Sequence, residues 1–160
     1  KVEAAGKSER WKTLHSSDYM AWETPPAIWQ GVLAKLGVAR FDLDPCSPRL
    51  DGPVAARSHF TEADDGLARD WSGHVFVNPP YGRALAVWID KMIVEARRGE
   101  VITITALVPA RTGTAWWHRA VESGAKVEFL RGRIKFWRDG HEGEAAPFDS
   151  ALITWGYTRS

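Results

Sequence analysis

Apolar residues recur at Ile28, Trp29, Val32, Leu33 and Leu36, the spacing of one helix face, and Gly37 follows as a stop. Thr24-Pro25-Pro26 just ahead reads as a threonine cap with prolines in the first turn. The pattern then shortens. Arg40-Phe41-Asp42-Leu43-Asp44-Pro45 predicts a short strand with an acid at its carboxyl end, and Ser58-His59-Phe60-Thr61 is a candidate for another. Asp70-Trp71-Ser72-Gly73 turns into His74-Val75-Phe76-Val77, a buried strand that must stop at Asn78-Pro79-Pro80 because neither proline can donate to a ladder. Ala84 to Arg97 returns to the helical period through Leu85, Val87, Trp88, Ile89, Met92 and Ile93, and Gly99 ends it. Val101 to Val108 is rich in branched residues and predicts a central strand, followed by a helix over Thr114 to Ser123 and a strand over Lys126 to Leu130. Gly132 allows a turn into Ile134 to Trp137, and Ser150 to Tyr157 makes a last strand. Strands alternating with helices predict an α/β fold with a mainly parallel sheet covered on both faces and ligands at the carboxyl ends of its strands.

The chain has 160 residues, the size of one domain, with no repeat and no linker between two cores. Residues 1–18 are expected to be a flexible N-terminal segment and 19–160 the folded domain. Hydrophobic residues make up 44% and charged residues 26%, too apolar for a disordered chain. The longest apolar runs are far short of the roughly 20 residues that span a bilayer, so no membrane partner is expected. One cysteine, Cys46, can form no internal disulfide, which points to the reducing cytoplasm. Five scattered histidines offer no metal-ligand spacing, and no metal is expected. His118 reads as a packed or capping residue. The net charge of +1 hides an asymmetry: residues 13–82 hold 5 basic and 9 acidic side chains, whereas residues 83–138 hold 11 and 5. A basic half attracts phosphate, although a solvated helix face has the same composition.

The sharpest chemical signal is Asn78-Pro79-Pro80-Tyr81, which follows a strand and precedes a helix and so projects from the ligand edge. An amino group on an aromatic ring is a poor nucleophile because its lone pair is delocalised. The Asn78 side-chain oxygen and the Pro79 carbonyl could accept both amino hydrogens and favour a pyramidal nitrogen, while Pro80 stiffens the turn. Tyr81 can stack on a planar substrate. A glutamine amide carries the same conjugated nitrogen, so the motif alone leaves a base and an amide both open.

Several blocks, in order and spacing, resemble the phage-encoded Dam-like family of DNA adenine-N6 methyltransferases: Trp22 to Trp29, Phe41 to Pro48, Asp65-Gly66-Leu67 with Trp71, Phe76 to Arg83, Val108 to Thr114 with Trp117-His118, and Gly132 to Phe136. The resemblance implies a single Rossmann-like class I methyltransferase domain with an antiparallel C-terminal strand and shortened strands on the adenosine side. It implies S-adenosyl-L-methionine as methyl donor and DNA as partner. Asn78, Pro79, Pro80 and Tyr81 would be the catalytic turn. Trp22, Thr24, Pro25, Asp44, Pro45, Cys46 and Asn78 would frame the donor, with Asp44 facing its ammonium or a bound water. Asp64 or Asp65 would meet the ribose or adenine edge, although either also fits a solvated turn. Cys46 is expected to be pocket wall, since no cysteine attack is needed on an exocyclic amine.

Tyr81, Arg83, Arg111, Thr112, Arg133 and Lys135 are the expected substrate contacts. The target adenine must leave the duplex to reach Asn78. One departure stands out: Cys46 to Gly52 replaces the glycine-rich loop that often follows the first strand in the wider family. An RNA base, a protein glutamine amide, or a non-catalytic nucleic-acid-binding derivative remain the alternatives, and the motifs do not define an oligomeric state.

Overall fold

The computed structural model describes residues 22–156. The expected flexible segment over 1–18 and the domain boundary at 19 lie outside the described residues. Helix α1 (Pro26–Leu36) leads into β1 (Phe41–Asp44) and β2 (Ala56–His59); a 3-10 turn (Gly66–Ala68) precedes β3 (Gly73–Val77). Helix α2 (Arg83–Arg98), β4 (Val101–Pro109), α3 (Ala115–Glu122) and β5 (Lys126–Phe129) follow, then β6 (Lys135–Arg138), β7 (His141–Ala145) and β8 (Ser150–Gly156).

Six strands form one sheet in the order β2-β1-β3-β4-β8-β5, and β6 and β7 form a separate hairpin. Strands β2, β1, β3 and β4 pair in parallel, while β8 runs antiparallel between β4 and β5. This is the expected Rossmann-like methyltransferase arrangement, with its antiparallel last strand and with β1 and β2 only four residues each. The core runs along both sheet faces: Val75, Phe76, Val77, Ile104, Leu107 and Ile153 are fully buried, and α2 packs Leu85, Trp88, Ile89 and Met92 against them.

Three local expectations change and one holds. Thr24 is not the cap of α1; Pro25 is, at φ −56 and ψ 135, with no side-chain cap bond, because a proline ring carries no acceptor, and Pro26 at the first helical position brings no N–H of its own. The candidate strand at Ser58 lies two residues earlier, since Asp44 pairs with His59 and the Asp44 carbonyl accepts from the Phe60 N–H at 2.9 Å. The helix over Thr114 to Ser123 keeps Thr114 as a true cap, accepting from the Trp117 N–H at 3.4 Å. Strand β7 is an addition: all five residues are exposed, so no apolar alternation marks it. Its signal was Asp139-Gly140, both at positive φ (51° and 78°), the two-residue turn that suits a hairpin.

The Asp65-Gly66-Leu67 block with Trp71 is a structural brace. A Cβ on Gly66 would lie 2.0 Å from the Pro45 carbonyl oxygen. The Gly66 carbonyl accepts from Trp71 Nε1 at 2.9 Å, and the Trp71 N–H donates to buried Glu95, which Lys91 and Arg98 also grip at 2.7 and 2.9 Å. The loop after β1 is therefore backed by a chain of contacts reaching α2.

Gly66→Ala is expected to cost about 1–3 kcal/mol, because backbone must move to admit the methyl. Gly31→Ala, with nothing within 4 Å and a helical position in α1, is expected to gain about 0.5–1 kcal/mol. Urea denaturation of both variants checks the pair; equal effects would contradict the brace.

Candidate functional site

Strands β1, β3 and β4 end on the same sheet edge, and each delivers chemistry there. Asp44 closes β1, Asn78 follows β3, and Pro109 closes β4. The antiparallel β8 starts at that edge, with Ser150 opposite Pro109. Two openings meet at the Asn78–Tyr81 turn.

The first is a narrow cleft of about 20 Å³ lined by Trp22, Thr24, Asp44, Cys46, Asn78 and Pro80 among others. Its polar groups are poorly satisfied. The Thr24 hydroxyl is buried with no hydrogen-bond partner among the described residues. Asp44 is 3% exposed and accepts the Cys46 N–H at a long 3.2 Å. Burial pushes its carboxyl up to about 7, against the opposing pull of that N–H, of His59 and of Ser47. Burial, with the Asp44 charge beside it, also pushes the Cys46 thiol up, which leaves a protonated wall residue and no nucleophile. An unpartnered hydroxyl and a buried carboxylate suit a ligand bearing an amine.

The second opening is a groove of about 610 Å³ lined by Tyr81, Arg83, Arg111, Trp116, Pro147 and Phe148 among others. Arg83 and Arg111 are exposed. Tyr81 itself is buried at 8% exposure, its hydroxyl donating to the Leu107 carbonyl at 3.4 Å and its ring meeting Phe136 and Phe148 at 6.0 and 5.4 Å in edge-on contacts. Burial raises its phenol pKa, so the hydroxyl stays a donor.

Asn78 stands between the two. Its Nδ2 donates to the Trp22 carbonyl at 3.1 Å. Only the amide nitrogen can donate to a carbonyl, so this bond settles which end of the side chain is which and turns Oδ1 the other way.

Other expected residues are placed differently. Pro25 and Pro45 stand outside the lining of the cleft: the Pro25 carbonyl starts α1, and Pro45 backs onto Gly66. The Asp64 carboxylate is occupied with its own turn, accepting from the Thr61 N–H and hydroxyl at 3.0 and 3.2 Å. Asp65 holds a positive φ of 55° at the start of the 3-10 turn. Thr112 lies outside both openings, its carbonyl bonded to His118 Nε2 at 2.8 Å. Arg133 is exposed before β6, and Lys135 pairs with Glu142 at 3.7 Å across the hairpin. Glu23 and Ser47, absent from the sequence-based set, are both buried in the cleft wall. Ser47 Oγ reaches the Arg49 and Gly52 carbonyls at 2.6 and 3.0 Å and folds the loop that takes the place of a glycine-rich one. Among the described residues no group of three or more His, Cys, Asp or Glu side chains could hold a metal, and no helix is long and apolar enough to cross a membrane.

Comparison with known proteins agrees with the resemblance. The family described as DNA N-6-adenine-methyltransferase (Dam) matches residues 12–153. A protein of Escherichia phage T1 named DNA N-6-adenine-methyltransferase is 25% identical over 137 residues, covering 83% of this chain and 55% of the phage protein. The chain thus spans little more than half the length of that relative. With both openings, the asparagine turn between them and nearly the whole described sheet inside the matched stretch, the chain belongs to the DNA N-6-adenine-methyltransferase (Dam) family.

Proposed function

We propose that the chain transfers a methyl group from S-adenosylmethionine to the exocyclic N6 of adenine in DNA. One observation carries the reading: the Asn78–Tyr81 turn is the partition between a small acid-walled cleft and a wide groove flanked by two arginines and aromatic rings. A transfer enzyme needs donor and acceptor held in separate spaces that open onto each other at the reacting atoms.

Bound in the cleft, the donor supplies a methyl carbon made electrophilic by its sulfonium. Asp44 and Thr24 would hold the amine end of that molecule. On the groove side, Asn78 Oδ1 and the Pro79 carbonyl accept the two N6 hydrogens and draw the lone pair out of conjugation with the ring. With the donor bound, its neutral thioether would leave as the amine takes the methyl and the extra proton would pass to water afterwards, so the chain need supply no strong base. Placement does most of the work. Tyr81 offers a stacking face only when Phe148 or Phe136 swings aside, which makes base entry a rearrangement of this aromatic group, offset by stacking with the purine. Arg83 and Arg111 beside the groove, with Arg133 and Lys135 on the hairpin side, are the phosphate contacts in this reading.

Labelled donor offered with duplex DNA, RNA and protein pools tests the assignment; label confined to protein or RNA would reject it. Asn78→Ala is expected to abolish transfer while donor affinity stays within about tenfold, because its hydrogen bonds form with the reacting amine. Equal loss of donor binding in calorimetry would contradict that role.

Asp44 predicts a pH signature. An acid whose pKa rises on folding holds its proton more tightly in the folded state, so stability without ligand falls as pH climbs from the ordinary carboxylate range through about 7. Donor affinity should move the opposite way, rising between about pH 5.5 and 7.5 as the carboxylate ionises to meet the amine. Asp44→Asn is expected to lose about 10- to 100-fold in donor affinity, to flatten that rise, and to melt no lower than the wild type at about pH 8. Titration calorimetry and thermal melts across that range check both halves.

A further inference from the structure

The peptide group joining Trp22 to Glu23 is held from both sides. Its carbonyl accepts from Asn78 Nδ2 at 3.1 Å, and its N–H donates to the Trp137 carbonyl at 2.7 Å. The Trp137 N–H returns a bond to the Glu23 carbonyl at 3.0 Å, so this short strap is tied to β6 by a two-bond antiparallel bridge. An amide whose N–H is engaged is a better acceptor at its own oxygen, so the bond to β6 strengthens the grip on Asn78.

The Glu23 side chain anchors the strap a third time. Its carboxylate is 5% exposed and forms an ion pair with Arg49 Nη1, from the loop after β1, and Arg49 also reaches Asp51 at 3.4 Å. A buried carboxylate without its cation must take up a proton or find water, and either outcome shifts the backbone that carries it. Trp22 additionally packs on Phe136 at 5.4 Å. One peptide plane therefore joins the donor-side loop, the hairpin and the reactive amide.

We infer that Glu23, through its ion pair with Arg49, is a positioning residue that holds the Trp22 carbonyl against Asn78 and so keeps Asn78 Oδ1 turned toward the acceptor amine. This deepens the proposed transfer reaction and rests on the role given there to Asn78. If the strap loosens, the asparagine can rotate and offer nitrogen where oxygen is needed. Donor binding does not depend on that orientation. Transfer does.

The test has two arms. In the first, 15N NMR follows the Asn78 side-chain NH2, identified by its absence from the Asn78→Ala spectrum. In Glu23→Gln and in Arg49→Met the pair is expected to move toward the position of a free amide; an unchanged pair in both variants overturns the inference. In the second, single-turnover transfer to adenine-containing DNA is compared with donor affinity by calorimetry. Both variants are expected to slow transfer by about 10- to 100-fold; in Arg49→Met, whose side chain stands outside the cleft lining, donor affinity is expected to stay within about threefold, and Arg49→Lys, which keeps the charge, to recover much of the rate. An unchanged rate, or a loss of donor affinity with the rate intact, overturns it, the second outcome making Glu23 a donor contact. Should Glu23→Gln fail to fold, Arg49→Met decides alone, since the Arg49 side chain is 46% exposed and makes no core. Wild-type protein inert toward DNA would defeat the proposed activity, while the NMR arm would still judge the strap.

Discussion

Pro79 and Pro80 bring no N–H to the sheet, and the rest of the site follows from those two missing donors. Strand β3 pairs with β4 as far as Val77 opposite Ala106 and can extend no further. Asn78 is consequently released at the strand end with its side chain half-buried, while the rigid dipeptide behind it divides the edge of the sheet. Glycine at Gly82 then lets the chain turn at a φ of 88° into α2, whose first buried residues seal the far side of the turn. A partition between two ligand spaces is thus made from the least adjustable backbone in the chain, which suits a reaction whose catalysis consists of placement.

Two buried carboxylates show where the molecule has spent its hydrogen bonds. Glu95 is the deepest charged group among the described residues, and burial alone would raise its pKa, yet Lys91, Arg98 and the Trp71 N–H together hold it below the ordinary range. Asp44, nearly as deep, is raised instead, because its long bond from the Cys46 N–H, the His59 charge and Ser47 do not offset burial. The first is a structural brace completed within the fold. The second is left incomplete at the mouth of the β1 strand, beside a Thr24 hydroxyl that also has no partner among the described residues. Groups buried at a cost and left wanting a partner are what a binding site looks like before its ligand arrives.

Much of this was legible in the sequence because it depends on period and on proline and glycine. The order of strands and helices, the stop at Asn78-Pro79-Pro80 and the glycines after α1 and α2 all follow from local rules. Thr24 misled because a threonine before two prolines has the composition of a cap, whereas it lines the cleft with its buried hydroxyl unpartnered among the described residues. Asp65-Gly66-Leu67 with Trp71 read as part of a functional pattern, and its geometry shows a packing reason: only glycine fits against the Pro45 carbonyl. Strand β7 escaped because His141 to Ala145 face solvent on every position, and hydrophobic alternation cannot mark a strand that buries nothing.

Glu23 was the harder residue to see, and the reason is general. Its contribution runs through main-chain atoms, and a carbonyl carries no sequence signature. Trp22 meets Asn78 across 56 positions of chain, and Glu23 meets Arg49 across 26. Periodicity reads neighbours, and a motif reads a contiguous block; neither reports which distant peptide plane holds a side chain in register. Asparagine makes that plane matter more than it would for a carboxylate, because its two ends are sterically alike and chemically opposite. A transfer site built on an amide oxygen needs something outside the motif to settle which end faces the substrate, and the doubly bonded Trp22–Glu23 peptide occupies that place.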